Sequence, residues 1–381
     1  MGRPFWDVPL VVSYNLCYTF GEQCRKMEVI LVEYLINRQE KVKELHAIYN
    51  SNKPIPDFIT NLLEIPEILR LNGVDQNSGV NYSGFGMFNY KYSTLDHSLG
   101  VALILNNFIT NNQQIVAALL HDLATPSFFN STYYIEEKNF NPKENKLTVY
   151  DAIVGSDKLF DYFMKKNLHI DEMCDYTKYP LGYNYTPRLS ATKLEYFLHT
   201  MYMSGMCEIE KIEEMYNSLI VVPNEDGMPE FCFNNEECAK NFCLMALECG
   251  GMYRSYEAKA TMKFISDTIA AMVRREVISR KDLYTYSDKV IMEMGLSCSD
   301  KRISDRWRYL PELSKVYMKF NEVENKRCNK LDSDLKYVNP LVRLENGEIK
   351  RVSKHIPICK EKIDTFLNSD TDLYFYIDYE D

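Results

Sequence analysis

The sequence predicts a mainly α-helical protein with a small β-hairpin and a small α+β region at the C-terminus. Two apolar runs, from Leu99 to Leu105 and from Gln113 to Leu120, are each long enough for about two helical turns. A helix that is apolar on nearly every side is usually buried, so these runs predict the two central helices of the core. Amphipathic patterns with a helical period fill most of the chain up to Phe320.

Two turn-forming segments predict the strands. Asn346-Gly347 separates two apolar stretches, and Asn-Gly favours the positive φ angles of a tight hairpin turn. A second hairpin is predicted around the polar segment 223–227. The predicted strands are Leu219 to Val222, Glu230 to Phe233, Leu335 to Arg343, Ile349 to Val352 and Leu373 to Tyr379, and a helix is predicted from Pro357 to Leu367.

We expect three parts in the chain. Residues 1–55 form an N-terminal helical segment, in which one long pattern runs from Glu22 to Ile48 and places His46 at its solvated end. Residues 56–328 form the helical body, and residues 329–381 form the α+β appendage. The appendage is open to two roles, homo-oligomerisation or a lid over the site.

Charge and composition indicate which partners to expect. The 381-residue chain carries a net charge of −10, which disfavours non-specific binding to nucleic acid or to an anionic membrane. No apolar run is long enough to span a membrane, and the first residues lack a signal-peptide cleavage pattern. The eleven cysteines are odd in number and include no C-x-x-C spacing. We therefore expect a soluble cytoplasmic protein.

The stretch from Tyr92 to Ser131 concentrates the chemistry. Ser93 or Thr94 can cap a helix that carries His97 in its apolar run. His121 and Asp122 follow the second apolar helix, which cannot continue through Pro126. Two imidazoles and a carboxylate in a core are costly unless something pairs with them, so the sequence predicts a divalent metal held by His97, His121 and Asp122.

These residues also carry a family resemblance. YSTLDHSLGVALI followed by AALLHDLATP resembles the HD-domain phosphohydrolases, most closely the branch of the deoxynucleoside triphosphate triphosphohydrolases. The resemblance extends from ILRLNGVDQNSG to YTPRLSATKLEYFLHT and implies an HD-domain helical core. It implies Mn, Fe, Ni, Co, Zn or Mg as the metal and a nucleotide or other phosphate ester as the substrate.

The fourth metal ligand of that family has no direct counterpart. The family's distant Asp opens a D-K/R-x-x-Y motif, whereas this chain reads Thr192-Lys193-Leu194-Glu195-Tyr196. Glu195 and Asp175 stay open as replacements. His199 is predicted to lie too far along the helix from Thr192 to enter the same coordination shell.

The resemblance also assigns the substrate contacts. Gln76 matches a Gln that contacts the sugar, and Tyr196 matches a Tyr that packs against it. We assign Asp122 and Asn130 as catalytic candidates, since Asn130 stands where the family has a histidine and its amide can bind a phosphate oxygen. An amide cannot deliver a proton near neutral pH, however, and Thr125 replaces a second histidine.

Two functions from different classes follow. In the first, the protein hydrolyses a phosphate ester with metal assistance, weakened by the loss at Thr192. In the second, it is a catalytically degenerate HD protein that binds a nucleotide as a regulatory or assembly subunit. The neutral residues at 94, 125, 130 and 192 favour the second, and the retained His97, His121 and Asp122 favour the first.

Overall fold

The computed structural model describes residues 38–135, 148–331, 335–369 and 373–379. The mainly α-helical fold with a small β part is confirmed. The helices in chain order are α1 Glu40–Tyr49, α2 Asp57–Leu63, α3 Pro66–Leu69, α4 Thr94–Phe108, α5 Asn112–Leu120, α6 Asn130–Tyr133, α7 Val149–Val154, α8 Asp157–Lys166, α9 Ile170–Cys174, α10 Ala191–Met203, α11 Ile209–Asn217, α12 Glu236–Arg254, α13 Tyr256–Arg274, α14 Asp282–Thr285, α15 Asp288–Ser297, α16 Lys301–Tyr309, α17 Val352–His355 and α18 Pro357–Leu367. The strands are β1 Leu219–Pro223, β2 Pro229–Phe233, β3 Tyr317–Lys319, β4 Leu341–Arg343, β5 Ile349–Arg351 and β6 Tyr374–Tyr376.

Helix α4 is the centre of the helical body. Every residue from Thr94 to Leu105 is buried, as its apolar sequence predicts. Helices α5, α10 and α1 pack around α4. The polar groups of α4 therefore lie within the core and need partners from these neighbouring helices.

Helix α1 corrects one prediction. The Glu22 to Ile48 pattern is described only from Glu40 onward, and its earlier part lies outside the described residues. His46 is buried rather than solvated, because its Nε2 bonds the carbonyl oxygen of Asp96 at 3.0 Å and its Nδ1 accepts from Arg38. Burial, together with the nearby Arg38 charge, lowers the pKa of His46 to about 3.

The two predicted hairpins share one sheet. Its strand order is β1-β2-β4-β5, with antiparallel pairs at each end and a parallel β2–β4 pair in which Cys232 lies opposite Leu341. Gly347 takes the predicted positive φ, +83°, in the second turn, whereas Asn346 does not take a positive φ. Strands β3 and β6 form a separate two-stranded sheet. The proposed boundaries at 55/56 and 328/329 stay predictions.

A buried ion pair within this sheet also contacts the segment that precedes α10. The guanidinium of Arg351 forms two bonds to the Glu230 carboxylate, at 2.5 and 2.8 Å. Glu230 also accepts from the backbone N–H of Leu189, just before α10. A charge buried in this way is tolerated because it is paired and hydrogen-bonded. The segment around β4 and β5 is thus held against the start of α10.

None of the described helices combines the length and the apolar character that crossing a membrane requires.

Candidate metal centre

His97 is positioned by the first turn of α4. Ser93 caps the helix by accepting from the Asp96 backbone N–H at 3.0 Å, and the Asp96 carboxylate accepts from the Ser93 backbone N–H at 3.1 Å. This reciprocal arrangement makes Ser93 the N-cap residue, so α4 begins at Thr94. His97 consequently lies in the first turn and is only 2% exposed.

His121 and Asp122 follow the last residue of α5. His121 Nδ1 lies 2.6 Å from the carbonyl oxygen of Ala118, and its Nε2 lies 3.4 Å from the Asp122 carboxylate. Since a carbonyl can only accept, Nδ1 carries the proton and Nε2 is left with a lone pair. The side chains of His121 and Asp122 are 10% and 15% exposed. The dyad is therefore the part of the centre that faces solvent.

The structure brings the three sequence-predicted ligands together. His97, His121 and Asp122 each offer one ligand atom, and these atoms lie within 4.8 Å of one another. The imidazole rings of His97 and His121 are 5.4 Å apart between centroids. This set combines two nitrogens and one carboxylate, which suits several divalent transition metals.

Glu195 is the residue whose importance the sequence did not establish. It is fully buried in α10, and its Oε2 contacts His97 Nδ1 directly and lies 3.1 Å from His199 Nδ1. Its Oε1 accepts from the Tyr92 hydroxyl at 2.5 Å. His199 joins this cluster because it lies one turn from Glu195, although it is two turns from Thr192. His199 therefore lies outside the group of His97, His121 and Asp122, as expected, but it contacts Glu195, which was not expected.

Among the residues that the structure describes, two groups qualify geometrically as metal ligands, and they share His97. The group of His97, Glu195 and His199 is entirely buried, and the direct His97–Glu195 contact leaves no room for an ion between them. In the other group, Nδ1 of each histidine is engaged, by Glu195 and by the Ala118 carbonyl, so both Nε2 atoms remain for a metal. A metal-ligating histidine usually donates its other ring N–H to a carboxylate or a carbonyl. The residues fit a divalent ion at His97, His121 and Asp122, with Glu195 orienting His97.

Burial and neighbouring charges shift the pKa values of this cluster in different directions. Burial opposes ionisation of Glu195, yet the imidazoles of His199 and His97 outweigh it and hold the pKa of the carboxyl well below its usual value. Burial also opposes the charged form of His97, but Glu195 outweighs it and raises the pKa of His97. For His121, burial outweighs the Asp122 carboxylate and lowers the pKa, which favours the neutral imidazole that a metal needs.

Thr192 does not substitute for the missing carboxylate. Its hydroxyl donates to the carbonyl oxygen of Gly182 at 3.0 Å. The Tyr176 ring packs 5.1 Å from the ring of His121, and its hydroxyl lies close to Gly182. An aromatic side chain therefore covers His121 on the side where Thr192 lies. Asp175 caps the turn at Thr177 and belongs to neither ligand group.

Gly100 allows the approach of Glu195, and its replacement gives a testable result. A Cβ at position 100 would lie 2.8 Å from Glu195 Cγ and 2.9 Å from Oε1. Gly100→Ala should therefore displace the carboxylate, destabilise the fold by about 1–3 kcal/mol and weaken metal binding. Denaturant unfolding and metal titration measure the two effects. Gly251→Ala in α12 is the matched control, because its Cβ would meet nothing within 4 Å; equal effects of both changes would contradict the expectation.

The predicted substrate residues and the catalytic candidate Asn130 have different surroundings. Gln76 is 4% exposed, and its backbone N–H bonds the carbonyl of Tyr92. Tyr196 packs edge-on against His199, with 5.7 Å between ring centroids. Asn130 opens α6, where its backbone N–H lies 3.3 Å from the Ser78 hydroxyl. Within the described residues, no hydrogen bond joins Asn130 to His97, His121 or Asp122.

Comparison with known proteins gives two similar sequences. The chain is 21% identical to the uncharacterized protein YdhJ of Bacillus subtilis over 265 residues, which is 68% of this chain and 78% of YdhJ. It is 25% identical to the metal-dependent phosphohydrolase cns2 of Cordyceps militaris over 179 residues, which is 46% of this chain and 50% of cns2. No family model matches the chain.

Two solved structures share the fold. A phosphohydrolase from Bacteroides thetaiotaomicron superimposes with a TM-score of 0.61 at 14% identity, covering 84% of this chain and 96% of that one. A hypothetical protein from Aquifex aeolicus gives a TM-score of 0.55 at 14% identity, covering 85% and 93%. These superpositions show a shared fold, and cns2 is a relative whose name states metal-dependent phosphohydrolase activity.

Proposed function

We propose that this protein is a metal-dependent phosphohydrolase that acts on a nucleotide or a related phosphate ester. The observation that carries the proposal is the anchoring of both imidazoles through Nδ1. This leaves two Nε2 atoms and the Asp122 carboxylate together at a partly exposed face. The resemblance to the metal-dependent phosphohydrolase of Cordyceps militaris supports the same reaction class.

One set of residues would hold the metal, and another would hold the substrate. His97, His121 and Asp122 would hold a divalent ion, and Glu195 fixes the orientation of His97. A bound divalent ion supplies Lewis-acid polarisation of a phosphoryl oxygen and lowers the pKa of a water molecule. Gln76 and Tyr196 would contact the sugar of a nucleotide, as the family resemblance implies, and the Asn130 amide would hydrogen-bond a phosphate oxygen.

The same residues predict a slow reaction. Positions 125 and 130 hold Thr and Asn, so no imidazole is available there to protonate a leaving group. Loss of a general acid typically costs about 10²- to 10⁴-fold in rate. A good leaving group should therefore react much faster than a poor one.

A second candidate function is favoured by one specific observation. The Thr192 hydroxyl is bonded to Gly182, and this position supplies no carboxylate to the centre. A protein that binds a nucleotide without turning it over would tolerate this loss. It would act as a regulatory or assembly subunit, and homo-oligomerisation and a cytoplasmic location remain further predictions.

One experiment separates these functions. Protein loaded with Mn, Fe, Ni, Co, Zn or Mg is assayed for phosphate release from nucleotides and simple esters, and nucleotide binding is measured in parallel. Metal-dependent release that stops after chelation supports the hydrolase. Tight nucleotide binding with no release by any loaded form would overturn the hydrolase and favour the regulatory subunit.

A further inference from the structure

Lys336 extends from the C-terminal region to an aromatic wall beside the metal centre. Its Nζ lies 4.5 Å from the ring centroids of both Tyr196 and Tyr253. Tyr196 in turn packs against His199, which bonds Glu195. The ammonium is therefore linked to the Glu195 cluster through the rings of Tyr196 and His199.

The backbone around Lys336 is anchored at several points. A Cβ at Gly250 would lie 2.1 Å from the Lys336 carbonyl oxygen, so α12 and this segment are in close contact. Val338 is fully buried, and the Asn339 backbone N–H donates to the carbonyl of Pro187 at 2.8 Å. Arg351 donates to the Asn339 carbonyl at 3.0 Å. The backbone of residues 336–339, which carries Lys336, is thus held in contact with the helical body.

The same wall carries buried polar atoms that require a partner. Gln76 Oε1 and Asn77 Nδ2 make no hydrogen bond within the described parts of the chain, although the two side chains are 4% and 0% exposed. Asn77 Oδ1 accepts from the Tyr253 hydroxyl at 2.5 Å, which links these amides to the ring beneath Lys336. Buried polar atoms are nearly always satisfied, by protein, water or ligand. One acceptor and one donor are thus available here to a water molecule or to a polar ligand.

We infer that Lys336 binds an anionic phosphate oxygen of the substrate and so completes the site from the C-terminal region. This inference rests on the proposed function. Positions 94, 125 and 130 are neutral, and the three metal ligands contribute only the negative charge of Asp122. A phosphate binds best where a cation can donate charge-assisted hydrogen bonds, and an ammonium is a common phosphate-binding group. Lys336 supplies this cation from the segment that precedes β4.

Substitutions at position 336 test the inference. Lys336→Met removes the charge but keeps a long side chain on the two tyrosine rings, and Lys336→Arg keeps the charge. Lys362→Met, on the exposed side of α18, is the matched control. The readouts with metal-loaded protein are KM and kcat, the inhibition constant of inorganic phosphate and the metal content.

We expect Lys336→Met to raise KM and the phosphate inhibition constant by roughly 10- to 100-fold, because a hydrogen bond to a charged group is lost. Lys336→Arg should recover most of this binding, and Lys362→Met should behave as the wild type. Metal content should be unchanged in all three. If the Met variant has a lower Tm, Lys336→Gln, which keeps a polar head without the charge, replaces it.

The outcomes separate this inference from the proposed function. An active wild type whose phosphate inhibition is unchanged within about twofold by Lys336→Met would overturn the role of Lys336 and leave the hydrolase intact. A wild type without turnover overturns the hydrolase. Direct phosphate binding then decides the inference: binding weakened by Lys336→Met upholds Lys336 as an anion ligand, and unchanged binding overturns it.

Discussion

Replacing His121 by Ala is expected to abolish both metal binding and phosphate release. The change removes one of the two Nε2 atoms that remain for a metal, and leaves one imidazole and the Asp122 carboxylate. Loss of an outer-shell partner alone typically costs roughly 10- to 100-fold in metal affinity, so loss of a ligand should cost more. Elemental analysis after loading and a phosphate-release assay measure the two effects.

The effect should be specific to this histidine. His121 is only partly buried, and the side chain that covers it, Tyr176, lies near the surface turn at Asp175, so the variant should remain folded. His169→Ala is the matched control, because His169 is exposed at the start of α9. Stoichiometric metal in folded His121→Ala protein would contradict the assignment of the centre.

Local sequence patterns predicted the parts of the site that depend on neighbouring residues. The Ser93 cap, the buried helix through His97 and the helix end before His121 are each determined within a few residues. The turn at Gly347 follows from its own dipeptide in the same way. These features can be predicted because helix caps and tight turns depend on residues that are close together in the sequence.

The parts that could not be predicted all depend on contacts between distant residues. Glu195 lies 98 positions from His97 in the sequence. It contacts His97 at Nδ1, whereas Nε2 is the atom that remains for a metal. In the family pattern the carboxylate at the position of Thr192 binds the metal itself, and this pattern does not indicate a carboxylate that contacts a histidine ligand instead. His46 was placed in solvent for a similar reason, since its partner is the Asp96 carbonyl on another helix.

One signal in the sequence does point to Glu195. Gly100 lies one turn after His97 in an otherwise bulky apolar helix, and a glycine at such a position leaves space for another element to approach closely. The structure shows that a carboxylate side chain, rather than a backbone, occupies that space. The parallel pairing of β2 with β4 had no such signal, because its partners are about one hundred residues apart.

Glu195→Gln is expected to combine a large loss of stability with weaker metal binding. The carboxylate accepts from Tyr92 through Oε1 and contacts His97 and His199 through Oε2. A Gln amide offers only one acceptor oxygen, so either the tyrosine hydroxyl or the two imidazoles lose their partner. Removing one member of a fully buried charge pair typically costs about 3–5 kcal/mol. Metal affinity should fall by roughly 10- to 100-fold, as for other outer-shell changes.

Two control variants identify the source of these effects. Glu213→Gln makes the same chemical change at an exposed position of α11 and should alter neither property. Thr192→Ala removes the Gly182 hydrogen bond one turn away and should cost only about 1 kcal/mol, with metal affinity unchanged. Denaturant unfolding and metal titration of all three variants distinguish the roles. If Thr192→Ala lost the metal while Glu195→Gln kept it, the fourth position would act directly on the ion, and Glu195 would only fill the core.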